Sequence, residues 1–208
     1  MLLALDTATN AVTVALYDGS AVVAESSTED RLRHGELLAP AIDQLLRGAG
    51  VSPADLTRIA AGVGPGPYTG LRIGLATATT MAAALGIEAV GVCTLDIVAA
   101  AVEVEGPFLV ATDARRKEVY WARYASALVR VGEPAVDHPE AVATSGPVAG
   151  NGASLYPSSF PNPVPPRLPS AAVLARLVAS GAARLLPTLP LYLRRPDAVA
   201  PAARRRVT

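Results

Sequence analysis

The chain has 208 residues, 51% hydrophobic and 17% charged, which predicts a folded protein with a sizeable core and excludes a disordered one. Eighteen Lys and Arg balance eighteen Asp and Glu, so a dedicated nucleic-acid or anionic-membrane surface is not expected. Cys93 is the only cysteine and His34 and His138 the only histidines, far apart and without ligand neighbours at helical spacing, which argues against a disulfide and against a Cys- or His-based metal site.

Met1 leads straight into Leu2-Leu3-Ala4-Leu5-Asp6 without a basic leader region, and no apolar run reaches the length of a membrane span; a cytoplasmic location and no membrane contact are expected. The run 2–5 reads as a buried strand ending on Asp6-Thr7-Ala8-Thr9-Asn10. Strands at 12–17 and 21–24, joined by an Asp18-Gly19 turn, complete a three-stranded meander. A helix follows over about 34–47, carrying Leu37, Leu38, Ala41, Ile42, Leu45 and Leu46, with Pro40 as a kink or first-turn marker. Those positions cover more of the helix than one core-facing stripe needs, which suggests a partner surface.

A short strand at 59–63 enters the loop Gly62-Val63-Gly64-Pro65-Gly66-Pro67-Tyr68-Thr69-Gly70, which opens a helix over 70–85. Glycine permits close backbone approach and proline fixes φ, so the loop is tight and shaped. It lacks the lysine and hydroxyl of a phosphate-binding P-loop, and the favoured reading is a helix start packed hard on the sheet. Gly74, Thr77, Ala78, Met81 and Ala82 lie along one side of that helix and would let another helix approach closely.

Shifting the chain by 107 places lays Leu109-Val110-Ala111-Thr112-Asp113 over the run from Leu2 to Asp6 and, without a gap, Val119 over Val12 and Tyr124 over Tyr17. This reads as an internal duplication in which Asp6 and Asp113 end equivalent strands and face each other across a cleft. The second turn, Asp113-Ala114-Arg115-Arg116-Lys117-Glu118, has no glycine to wrap a phosphate. Its cations would hold one by side chains or form a solvated hairpin tip, the favoured reading. Gly150-Asn151-Gly152-Ala153 after an apolar strand reads either as a plain compact turn or as the place where an adenosine would rest in such a fold. Six prolines within 157–169 mark an extended connection, Ser170 caps a helix to about 186, and the Ala/Arg tail with Arg204-Arg205-Arg206 is expected to fray.

Taken together, the Leu3-Ala4-Leu5-Asp6-Thr7-Ala8-Thr9 run, His34-Gly35-Glu36-Leu37-Leu38-Ala39-Pro40, the stretch from Gly64 to Gly74, Asp113-Ala114-Arg115, Gly150-Asn151-Gly152-Ala153 and Leu191-Tyr192-Leu193-Arg194 resemble the TsaB (YeaZ) family, partner proteins in making the threonylcarbamoyladenosine modification of tRNA. Pro67 and Tyr68 stand where the family more often has Ser and Phe. The resemblance implies an α/β protein of the actin/Hsp70/sugar-kinase fold: two duplicated RNase H-like lobes with mixed sheets flanked by helices, at 1–103 and 104–190, and a segment 191–208 returning toward the first lobe with a disordered end. It implies a noncatalytic scaffold for modification at position 37 of ANN-decoding tRNAs. The catalytic paralogue, TsaD, carries an H-x-x-x-H metal pair that falls here on Thr94 and Val98.

Expected partners are a TsaD-type catalytic paralogue, a TsaE-type ATPase, a second copy when the chain is alone, and tRNA only through the complex. Interface residues expected from the family's helix pairing are His34, Leu37, Leu38, Ala41, Leu45, Leu71, Gly74, Thr77, Ala78 and Met81. No tightly bound cofactor or metal is expected. Weakly held ATP or ADP in the inter-lobe cleft would involve Asp6, Thr7, Thr9, Asp113, Gly150 and Gly152. The rival reading is an enzyme of the same fold, a nucleotide-dependent phosphotransferase or a glycoprotease-like peptidase.

Overall fold

Leu2–Asp6 (β1) is apolar on both faces because it is the central strand of a five-stranded sheet. Ala11–Tyr17 (β2) pairs with it antiparallel, and Val22–Glu29 (β3) continues the meander as a largely exposed edge. Arg58–Gly62 (β4) lies parallel on the other side of β1, followed by Glu88–Val92 (β5), giving the order β3-β2-β1-β4-β5. Parallel neighbours need a crossover. His34–Gly48 (α1) connects β3 to β4, and Tyr68–Leu85 (α2) connects β4 to β5. Both helices cover one sheet face, where Leu38, Ile42 and Leu45 of α1 and Leu71, Leu75 and Ala78 of α2 pack on Leu3, Leu5, Val14 and Leu16. Each large aliphatic side chain buried there stabilises the fold by about 1.5–3 kcal/mol. This structure, a computed structural model, describes residues 1–194; the tail with Arg204–Arg206 and its expected fraying lie outside the described residues.

Thr94–Ala99 (α3) leads out of β5 into a second sheet made of Phe108–Asp113 (β6), Val119–Ser126 (β7), Val129–Asp137 (β8) and Val148–Ala149 (β9), in the order β8-β7-β6-β9. Asn151–Leu155 (α4) packs beside β6. The second sheet repeats the connectivity of the first without a fifth strand, so the molecule has the two RNase H-like units of the actin/Hsp70/sugar-kinase class. The gapless overlay of the two meanders is one residue out beyond the turn. Asp6 pairs with Thr13 and Asp113 with Val119, so the second turn is one residue shorter and Val119 occupies the place of Thr13, not of Val12.

The last helix also differs from expectation. Ala171–Ala179 (α5) is capped by Ser170, whose hydroxyl accepts the Val173 amide, but it stops at Ser180 before Gly181 at φ 72°. Leu186 is then drawn into a bridge with Gly91. α5 lies on the first sheet, where Leu174, Ala175 and Val178 cover Leu2, Ala4, Ala15 and Ala60. That face of the first sheet is apolar and has no crossover helix, so a segment from the 104–190 region supplies its cover.

Candidate functional site

The Asp6 carboxylate is fully buried at the end of β1. One oxygen accepts the Ala8 amide at 2.8 Å, and the other accepts the Thr94 hydroxyl at 2.7 Å. Burial pushes its pKa up to about 6, against the opposing pull of the Thr94 and Ala8 hydrogen bonds. The rest of the turn is equally engaged. Thr7 donates its hydroxyl to the Gly70 carbonyl at 2.7 Å, the Thr9 hydroxyl accepts the Ala11 amide, and the His34 Nε2–H donates to the Thr9 carbonyl at 2.8 Å. His34 is therefore a buried pin between α1 and this turn.

The glycine loop fits against the same turn. A Cβ on Gly62 would overlap the Asp6 carboxylate, and one on Gly66 would overlap the Ala8 carbonyl. Thr94 accepts the Gly64 amide while it donates to Asp6. One buried hydroxyl thus joins loop, turn and α3. The glycines serve close backbone approach, as the tight-packing reading holds. No group of three or more His, Cys, Asp or Glu side chains able to hold a metal occurs among the described residues, and none of their helices is long and apolar enough to cross a membrane.

Across the cleft, Asp113 accepts the Arg115 amide at 2.8 Å, donates its own amide to the Asn151 side chain at 3.0 Å, and pairs with Arg31 and Arg115 at 3.4 Å. Gly150 and Gly152 are both buried, and a Cβ on either would crowd Ala111. The expected turn at Gly150 is in fact the start of α4. Arg115 is no solvated tip: its guanidinium reaches Asn10 of the first turn at 3.3 Å. Arg194 bonds the Ala114 carbonyl and pairs with Glu118, while the Tyr68 hydroxyl donates to the Arg194 carbonyl at 2.7 Å. Arg31, Glu118 and Arg194 are the site residues that sequence reasoning missed, and Arg115 was read only as a phosphate holder or solvated tip. No local signal marks them, because their partners lie far along the chain: Asn10 for Arg115, Asp113 for Arg31 and Glu118 for Arg194.

On the other side of the first lobe, α1 and α2 run together with one face on the sheet. Of the ten expected interface residues, His34, Leu38, Leu45, Leu71, Gly74 and Ala78 are buried inside the monomer, and Leu37, Ala41, Thr77 and Met81 are half-buried. The outward surface is instead Gly35, Glu36, Ala39, Pro40, Asp43, Gln44 and Arg47 of α1 and Arg72, Ala76, Thr79, Thr80, Ala83 and Ala84 of α2, beside a seam of Leu37, Ala41, Ile73, Thr77 and Met81. The set expected from the family's helix pairing therefore mixes six inward-facing residues with four that line the half-buried seam.

The family model described as TsaD, tRNA N6-adenosine threonylcarbamoyltransferase, matches residues 22–181. A protein of Mycobacterium tuberculosis is 44% identical over 199 residues, 94% of this chain and 92% of its own. The tRNA threonylcarbamoyladenosine biosynthesis protein TsaB of Escherichia coli is 39% identical over 126 residues, 59% of this chain and 54% of its own. Among solved structures, YeaZ from Pseudomonas aeruginosa superposes with a TM-score of 0.74 at 32% identity, covering 92% of this chain and 99% of that one.

Proposed function

The chain belongs to the TsaB (YeaZ) family, and on that footing we propose that it serves threonylcarbamoyladenosine synthesis on tRNA as a noncatalytic subunit. The observation that carries this reading is the likeness to YeaZ over 99% of that chain's length, joined to the match with a relative named for this modification. In this role the chain pairs with a histidine-bearing TsaD-type paralogue, forms homodimers when alone, and works in the cytoplasm beside a TsaE-type ATPase. Substrate tRNA meets the complex, not this subunit by itself.

Two features support the reading. Beyond Arg72, the outward face of α2 carries only small side chains, Ala76, Thr79, Thr80, Ala83 and Ala84, so partner helices can approach it closely and close a four-helix bundle. Thr94 is committed to Asp6 and Gly64, which gives the position aligned with a catalytic metal ligand a structural task.

Co-expression with a tagged TsaD-type paralogue from the same organism tests the proposal. The chain is expected to co-elute at one-to-one stoichiometry, and independent elution of the two folded proteins would refute it.

A further inference from the structure

In a two-lobed protein of this fold, a nucleotide and its metal would stand between the aspartate turns and tie the lobes together. Here the groups that would meet the phosphates are turned inward. Asp6 lies fully buried against Thr94 and Ala8, Thr7 against Gly70, and Thr9 against Ala11. The space above Gly66 is filled by the Ala8 carbonyl, and the space at Gly150 by Ala111. The groove outside these turns, about 520 Å³, contains Arg31 and Arg167, but Arg31 is paired with Asp113 and Arg167 with Glu29. Glu29 and Asp30 on the same wall would repel a triphosphate. The cleft does not fit a nucleotide.

The second turn shows what takes its place. Arg115, Arg116 and Lys117 have φ of 60°, 55° and 62°, a left-handed run that costs roughly 1–2 kcal/mol per non-glycine residue. Glycine or asparagine would make the same hairpin with less strain. What arginine adds at 115 is reach: the guanidinium spans Asn10 of the first turn at 3.3 Å and Asp113 of the second at 3.4 Å. Arg31 approaches Asp113 from the first lobe, and Arg194 reaches Ala114 and Glu118 from the segment after α5. At the opposite end, Arg130 of β8 grips both oxygens of Asp96 on α3 at 2.8 Å, and Tyr124 donates to the same carboxylate.

We propose that Arg115 is the resident cation of the inter-lobe cleft, bridging the two aspartate turns where a phosphate-bound metal would otherwise stand. The chain therefore fixes the angle between its lobes by itself, without nucleotide. The inference holds whether or not the tRNA reading does.

Arg115→Gly in the full chain is the informative variant, because glycine suits φ 60° and leaves the hairpin unstrained while removing the guanidinium. Hydrogen exchange at amides of residues 8–11 and 113–118 is expected to speed up by about threefold or more, with α1 and α2 unchanged. Asn10→Ala, which removes the acceptor from the other lobe, is expected to do the same. Exchange that stays within threefold in both variants overturns the proposal. Titration of the wild-type chain with Mg·ATP and with Mg·ADP is expected to give no saturable heat up to about 1 mM; a saturable isotherm below that overturns it as well.

Discussion

The Thr94 hydroxyl donates to the Asp6 carboxylate at 2.7 Å, joining the start of α3 to the end of β1 inside the protein. Asp6 titrates at about 6 in the folded chain against an ordinary 3.8, because burial disfavours its charge. Between those values the folded form keeps a proton that the unfolded form has lost. The contribution of Asp6 to stability is therefore greatest below about pH 4, falls as the pH rises to about 6, and costs at most ~3 kcal/mol above it. Asp6→Asn should flatten that slope, as read from urea midpoints between pH 4.5 and 7; an unchanged slope would place the titration elsewhere.

Gly66 and Gly48 make a matched pair of alanine substitutions. At Gly66 a methyl would overlap the Ala8 carbonyl, so backbone has to move, and a loss of about 2–3 kcal/mol is expected. At Gly48, the last residue of α1, a methyl meets nothing within 4 Å, and a gain of up to about 1 kcal/mol is expected from helix propensity. Denaturant unfolding of both proteins measures the contrast, and equal effects would mean that the glycine loop is not packed on the Asp6 turn.

Helix α2 separates folding from pairing. Ala78 is fully buried against the sheet, so Ala78→Arg should abolish soluble, cooperative folding. Thr80 is exposed, so Thr80→Arg should change stability by less than about 0.5 kcal/mol while weakening association with the paralogue or a second copy at least tenfold. Thermal melts and analytical ultracentrifugation distinguish the two, and normal pairing by folded Thr80→Arg would move the interface off this face.

Arg72 holds the segment after α5 against α2. Its guanidinium carbon lies 5.4 Å from the Tyr68 ring centroid and 5.7 Å from that of Tyr192, and its Nε donates to the Tyr192 hydroxyl at 2.8 Å. Arg72→Ala is expected to cost about 1 kcal/mol and to speed exchange of the Leu191 amide, which bonds the Val63 carbonyl. Retained protection at Leu191 would show that Tyr192 holds without the arginine.

Both meanders and both crossover helices were legible because strand alternation, apolar runs and glycine-proline punctuation are local signals. Leu2–Asp6 reads as buried whatever lies across from it. The side on which α1 and α2 face the sheet was not legible, since both carry apolar or small residues around more than half of their circumference. The one-residue register difference at the second turn was hidden because hairpin length is set by backbone conformation, and Arg115 to Lys117 adopt φ values that their side chains do not announce. The placement of α5 on the first sheet depends on which distant face lacks a cover, a tertiary fact. The role of Arg115 depends on Asn10, 105 residues away.

The most direct test is reconstitution with the TsaD-type paralogue, the TsaE-type ATPase, unmodified ANN-decoding tRNA and the activated threonylcarbamoyl donor, with the modified nucleoside quantified by mass spectrometry. The account predicts product only when this chain is present with both partners, and none from this chain alone. Product from this chain alone, or undiminished product from the two partners without it, would contradict the account.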